Sequence, residues 1–162
     1  MTVYTRQRIL PVRVENIPKE LKVRPQWVVW KVVGEKPDKV PYSATTGRRA
    51  SSTDLMTWST FAETLEAYEN GSYAGLGFVF SSGDPYTGVD LDNCVDENGE
   101  IAVWALEIAR YFDSYTELSA TGTGLHVNVR GDVPNRRKGD IEVYSSKRFF
   151  TVTGHVVEVS GD

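Results

Sequence analysis

The 162-residue sequence has one cysteine, Cys94, and two histidines. A single thiol excludes an internal disulfide framework and a Cys-based zinc cluster, and it fits a reducing compartment. No stretch approaches the roughly 20 consecutive apolar residues that span a bilayer. The N-terminal MTVYTRQRIL lacks an apolar run followed by a cleavage site, so no signal peptide is expected. Excess positive charge is also missing: the net charge is −4. That argues against a protein that coats nucleic acid by bulk charge. Repeats, low-complexity tracts and long linkers are absent from the sequence as well.

What is present is ordinary for a globular chain, with 40% hydrophobic and 25% charged residues. One domain over residues 1–162 with a sizeable core is expected, with residues 1–15 as a flexible arm or an edge strand. The basic residues gather locally at Arg6, Arg8 and Arg13, at Arg48 and Arg49, at Arg136, Arg137 and Lys138, and at Lys147 and Arg148. Such patches suit an enzyme that handles phosphate at one place.

The β-branched and aromatic WVVWKVV reads as a strand, GEKPDK as a turn and VPYS as a short return strand. STDLMTWSTFAETLEAYENG reads as one helix, capped by Ser52, Thr53 or Asp54 and ended by Gly71. AGLGFVF and TGVDLD read as strands of a hairpin across SSGDPY. IAVWALEIARYF reads as a second helix. SYTELS, GLHVNVRG, DIEVY, RFFTVTG and HVVEVS all look like strands. The expected class is therefore α+β, with a mostly antiparallel central sheet and flanking helices.

Within VDLD, Asp90 and Asp92 share one face of a strand, while Val89 and Leu91 take the other. Two half-buried like charges cost several kcal/mol unless something positive joins them. A divalent cation such as Mg²⁺ or Mn²⁺ would remove that cost. Taken alone, D-x-D more commonly marks a solvated edge-strand face or a turn in DNCVDENG. Glu142, between Ile141 and Val143, repeats the pattern and offers a third carboxylate, or an outward residue of an amphipathic strand.

SYTELSATGTGLHVNV places Ser119, Thr121, Gly122, Thr123 and Gly124 in a small turn between strands. Its backbone N–H groups and hydroxyls can meet phosphate oxygens. His126 follows on the face of Gly124 and Asn128, as a triphosphate donor or as a satisfied sheet histidine. The stretch is not a Walker A loop, since no G-K-[ST] follows the glycines. Arg136, Arg137 and Lys138 read as the tip of a hairpin loop between the His126 and Glu142 strands, either meeting template or solvated.

In chain order, VDLD, YTELSATGTGLH and IEVYSSKRFFTVTG resemble the three motifs of archaeo-eukaryotic-type primases. The resemblance is to the primase-polymerase (prim-pol) domains of phage and plasmid replication proteins. Their Y-x-E-x-S-x-S/T-G-x-G-x-H pattern is matched by Tyr115, Glu117, Ser119, Thr121, Gly122, Gly124 and His126. QWVVWK, KVPYSATTGRRASSTDLMTWSTFAET and GLGFVF extend it over residues 15–158.

The resemblance implies an RRM-like catalytic core and template-directed addition of NTPs or dNTPs by two-metal catalysis. It implies that Asp90, Asp92 and Glu142 hold two divalent ions, Mg²⁺ or Mn²⁺. Ser119, His126 and Arg148 would hold the triphosphate, with Thr121, Gly122, Thr123, Gly124 and Lys147 beside it. Lys39 and Arg49 would approach phosphate or template. It further implies a single-stranded DNA template, a cytoplasmic setting without a membrane, and a longer replication protein that carries or recruits a helicase. Two other functions compete. A metal-dependent nuclease could use the same acids but would leave the glycine turn and His126 unexplained. A non-catalytic nucleotide- or DNA-binding module would have no need of intact acids.

Overall fold

The computed structural model describes residues 8–36 and 38–159. Arg6 and the rest of residues 1–7 of the N-terminal arm lie outside the described residues. The elements run α1 (Lys19–Lys22), β1 (Trp27–Val33), β2 (Asp38–Tyr42), α2 (Phe61–Asn70), β3 (Gly75–Phe80) and β4 (Tyr86–Leu91). They continue with α3 (Val103–Phe112), β5 (Tyr115–Leu118), β6 (Leu125–Arg130), β7 (Arg136–Lys138), β8 (Ile141–Tyr144) and β9 (Arg148–Val152). The strands form two sheets, β2-β1-β3-β9 and β5-β6-β4-β8-β7, and every pairing within them is antiparallel. The fold is α+β. No helix among the described residues is long and apolar enough to cross a membrane.

The expected hairpin of β3 and β4 does not form. β3 already has β1 and β9 on its two sides, and all six of its residues are buried. Both edges are used, so β4 turns away into the second sheet. Asp84 makes the corner: its carboxylate accepts from Ser81 N at 2.8 Å, Tyr86 N at 2.8 Å and Gln26 Nε2 at 2.9 Å. A short acceptor that satisfies backbone donors on both sides of a bend favours a turn over a ladder.

The long helix expected from Ser52 is shorter and starts later. Thr60 and Glu63 form a reciprocal capping box that fixes the start of α2. Ser59 is meanwhile held extended by two backbone bonds to Trp27. Leu55 and Met56, near the start of that stretch, are 68% and 82% exposed. The chain from Arg8 is docked rather than free, through Leu10 N to Ala120 O and Arg13 N to Thr153 O, both 2.8 Å. Of the expected strand HVVEVS, the described residues 155–159 make a bridge between Val156 and Glu117 rather than a strand.

Two apolar clusters result. Trp27, Val29, Leu76, Phe78, Phe80 and Phe150 pack on the first sheet beneath α1 and α2. Val89, Leu91, Leu125 and Val127 pack on the second sheet against Ala105 and Ala109 of α3. The other face of the second sheet turns toward β3 and β9. A Cβ on Gly88 of β4 would stand 2.5 Å from the Phe150 ring and 2.6 Å from the Phe80 ring. Only glycine permits that approach, and it brings the first sheet close to Asp90.

Candidate metal and nucleotide site

Strand alternation sends Val89 and Leu91 into the core below α3 and leaves Asp90 on the opposite face. The register then does what no local pattern can. His126 of β6 and Glu142 of β8 are both direct cross-strand partners of Asp90. Glu117 of β5 lies opposite His126, and Arg137 of β7 lies opposite Glu142. One row across all five strands therefore reads Glu117, His126, Asp90, Glu142, Arg137. Asp92 stands one step further along, where its backbone N–H donates to Asp140 O at 2.8 Å.

Asp90, Asp92 and Glu142 offer carboxylate oxygens that all lie within 4.8 Å of one another. Burial, then the neighbouring Asp90 and Glu142 charges, push the Asp92 carboxyl up to about 6. Burial opposes the Asp90 charge too, but His126 Nε2, 3.3 Å from Asp90 Oδ1, holds that carboxyl below its usual range. The contact is an ion pair without hydrogen-bond geometry, because Asp90 Oδ1 has no hydrogen-bond partner. A divalent cation fits this donor set. It would take up the orphaned oxygen, relieve the repulsion that helps raise the Asp92 carboxyl, and find hard oxygen ligands beside one another.

His126 is buried between two acceptors. Its Nδ1 lies 3.0 Å from Thr151 O, and its ring stacks at 4.7 Å on Phe150. Burial disfavours the charged ring, yet Asp90 and then Glu117 raise its pKa. A carbonyl on one nitrogen and a carboxylate beside the other are both served by the imidazolium.

The glycine turn packs against the acids. Ser119 Oγ accepts from Gly124 N at 3.0 Å, so this hydroxyl braces the turn. The Thr121 and Thr123 hydroxyls are 2.8 Å apart, and Gly122 adopts φ +76°. Thr123 O accepts from Cys94 N at 3.0 Å and Val95 N at 3.1 Å, just beyond Asp92. A Cβ on Gly124 would lie 2.5 Å from Leu91 O. The turn is thereby fixed to the end of β4.

The basic residues divide. Arg148 lies over the Tyr144 ring at 5.1 Å, and the Tyr144 hydroxyl donates to Glu142 Oε2. Lys147, in the left-handed region at φ 61°, sits in the turn before β9. That turn is braced by Asn135, which bonds Ser145 N and Ser146 O. Lys39 adds positive potential at both Asp90 and His126. Arg49 bridges Tyr42 through the backbone, with no contact to the acids described. The segment Arg136–Lys138 is an edge strand and not the tip of a loop, and β4 separates β6 from β8. Arg137 faces the acids, whereas Arg136 and Lys138 pair with Val143 and Ile141 on the alternate face.

Two participants escaped the reading of the sequence as site residues. Tyr144 holds Glu142. Glu117 is fully buried, and its Oε2 accepts from Thr153 N at 2.5 Å, Gly154 N at 2.9 Å and the Thr153 hydroxyl. It ties β5 to the end of β9, the strand that presents Thr151 O to His126. The available signal was Glu117's place in the Y-x-E-x-S pattern. A recess of about 370 Å³, lined by Val89, Ile108, Tyr111, Phe112, Ile141 and Val143, lies on the α3 side, away from these charges.

An α+β domain with three carboxylates gathered beside a buried histidine and a glycine turn is suited to divalent-cation chemistry on phosphates. Over 146 residues the chain is 39% identical to the DNA primase-polymerase of Nitratiruptor phage NrS-1, covering 85% of this chain and 20% of that protein. This similarity supports a family relationship with primase-polymerases. The chain spans about a fifth of the length of that curated relative. No family model matches the chain.

Proposed function

We propose that residues 1–162 form the nucleotidyltransferase core of a primase-polymerase, of the archaeo-eukaryotic type with an RRM-like core. It adds NTPs or dNTPs to a strand directed by a single-stranded DNA template. The observation that carries this reading is the cross-strand row in which His126 and Glu142 flank Asp90. A nuclease would need the acids but not the glycine turn and the buried histidine beside them.

In this reaction the 3′-oxygen of the growing strand forms a bond to the α-phosphorus, and the bond to the departing pyrophosphate breaks. Asp90, Asp92 and Glu142 would hold Mg²⁺ or Mn²⁺, which supplies Lewis acidity toward the 3′-hydroxyl and the pyrophosphate. Tyr144 orients Glu142 by its hydrogen bond. His126, set by Thr151 O and the Phe150 ring with Nε2 beside Asp90, would lend positive charge to the triphosphate. The turn from Ser119 to Gly124 supplies backbone N–H groups, and Lys147 and Arg148 supply charge from the β9 side. The protein's share is positioning and preorganised electrostatics. Residues 1–162 act in this reading within a longer replication protein that carries or recruits a helicase, in the cytoplasm.

The test is incubation with primed and unprimed single-stranded templates, Mn²⁺ or Mg²⁺, and labelled NTPs or dNTPs. Incorporation on the primed template is expected. Strand cleavage without incorporation under either metal would overturn the reading in favour of a nuclease.

A further inference from the structure

Of the five residues in the charged row, Arg137 is the exposed one that the proposed chemistry leaves unused. It stands on β7, the edge strand of the sheet, whose three residues are all exposed. Antiparallel register sets it directly opposite Glu142. Its Nε lies 3.0 Å from Glu142 Oε1 in an ion pair, with the two side chains 74% and 15% exposed. The other Glu142 oxygen takes the Tyr144 hydroxyl. Both carboxylate oxygens thus have partners, and one partner carries a full positive charge.

The pairing follows from the backbone register, which sets Arg137, and neither Arg136 nor Lys138, directly opposite Glu142 on the same face. A cation entering among Asp90, Asp92 and Glu142 meets a guanidinium on one of its ligands. Two positive charges at contact distance on one carboxylate repel each other. Of the two partners, Tyr144 is neutral and can stay. Arg137 has water on its outer side and leaves at low cost.

We propose that Arg137 is a displaceable counter-ion of Glu142. It is a positioning residue that holds the carboxylate before a divalent cation loads and withdraws when one does. The inference rests on the metal reading of the site given above. It predicts the opposite of what a permanent outer-shell donor would do. Removing such a donor weakens metal binding by about 10- to 100-fold, whereas removing a competing cation tightens it.

The experiment is a Mn²⁺ titration of the full chain, read from the paramagnetic resonance signal of free Mn²⁺, without nucleotide or DNA. Arg137→Gln is expected to bind Mn²⁺ about two- to fivefold more tightly than the parent, the scale of an exposed ion pair. The gain should shrink as salt rises. Arg130→Gln is the control. It makes the same charge change on the same sheet by breaking the 2.7 Å pair with Glu20, and it should leave Mn²⁺ affinity unaltered. Equal or weaker binding by Arg137→Gln, or the same gain in Arg130→Gln, overturns the inference and leaves the metal site standing. A parent that binds no Mn²⁺ removes the metal site and the inference together.

Discussion

The two sheets share an antiparallel design and put opposite materials on their facing surfaces. The β2-β1-β3-β9 sheet presents rings: Trp27 on Phe78 at 5.3 Å, Phe78 on Phe80 at 5.6 Å, and Phe80 on Phe150 at 5.0 Å, all edge-on. The β5-β6-β4-β8-β7 sheet answers with Glu117, His126, Asp90, Glu142 and Arg137. Rings in edge contact are rigid and indifferent to pH. Partly buried charges are costly and need partners. The aromatic sheet acts as a wall that fixes His126 through Phe150 and Thr151. The charged sheet keeps its apolar side chains on the far face, beneath α3. One sheet supplies position and the other supplies chemistry, so damage to each should have a different signature.

The sharpest break is at the acids. Asp90→Ala should lower incorporation by more than about 100-fold, beyond the usual loss from an outer-shell partner. Its thermal midpoint in chelator should fall, because buried His126 loses the carboxylate that favours its charge, and this outweighs the relief of repulsion with Asp92. Primer extension and a melting curve on the same preparation check both halves. An active variant would remove Asp90 from the metal set.

On the aromatic side the order reverses. Phe78→Ala should cost about 3–5 kcal/mol of stability by urea unfolding. The Mn²⁺ affinity of the fraction that remains folded should be little changed. If folding survives while metal binding collapses, the division of labour between the sheets is wrong.

Glu117 tests the seam between them. Glu117→Ala strips the acceptor from two buried backbone donors, Thr153 N and Gly154 N, and should cost about 1–3 kcal/mol. Glu117→Gln keeps an acceptor oxygen and should recover most of that loss. Equal destabilisation by the two would mean that charge, rather than hydrogen bonding, is what Glu117 contributes.

How much of this was legible in the sequence follows from which interactions are local. Period-two alternation pointed to Asp90 and Glu142, because the apolar neighbours of each announce a strand face, and Asp92 followed two residues after Asp90. The glycine turn and its histidine were visible for the same reason. Sheet membership was not. SSGDPY has the chemistry of a hairpin turn, yet β3 had no free edge for β4. The run Arg136–Lys138 has no apolar residue to mark it as a strand. It is one because β8 has an edge to fill, and that partner lies across a turn. The complete burial of Glu117 depends on Thr153 and Gly154, more than 35 residues away. Contacts of that range leave no periodic trace in the chain.

A gentler probe of the charged face is pH. The Asp92 carboxyl sits at about 6 in the folded chain, above its ordinary value near 3.9. The folded state therefore holds a proton that the unfolded state releases between about pH 4 and 6. By linkage, this group's stabilising contribution is complete below about pH 4 and lost as pH rises through about 6. In chelator the melting temperature should accordingly carry a downward component over that window, and Asp92→Asn should remove it. Added Mn²⁺ should raise the melting temperature more at pH 7.5 than at pH 5. A metal-induced shift independent of pH would show that cation binding does not displace the Asp92 proton.

The smallest expected effect separates the two faces of a single strand. Arg136, Arg137 and Lys138 are consecutive, but β7 alternates, and only Arg137 shares the face of Asp90 and Glu142. The other two pair with Val143 and Ile141, so a template laid across the acids passes Arg137 and not its neighbours. Each lost phosphate contact on a single strand changes the slope of log affinity against log salt by about 0.7. Arg137→Gln should flatten the slope by about that amount when Mn²⁺ is present and Glu142 is engaged by the cation. The double variant Arg136→Gln, Lys138→Gln removes more charge, yet should move the slope far less than the roughly 1.4 expected for two lost contacts. Fluorescence anisotropy with a labelled single strand across a salt series resolves the difference. A full loss of about 1.4 in the double variant would place the template along the outer edge of β7, and the charged face would then bind nucleotide alone.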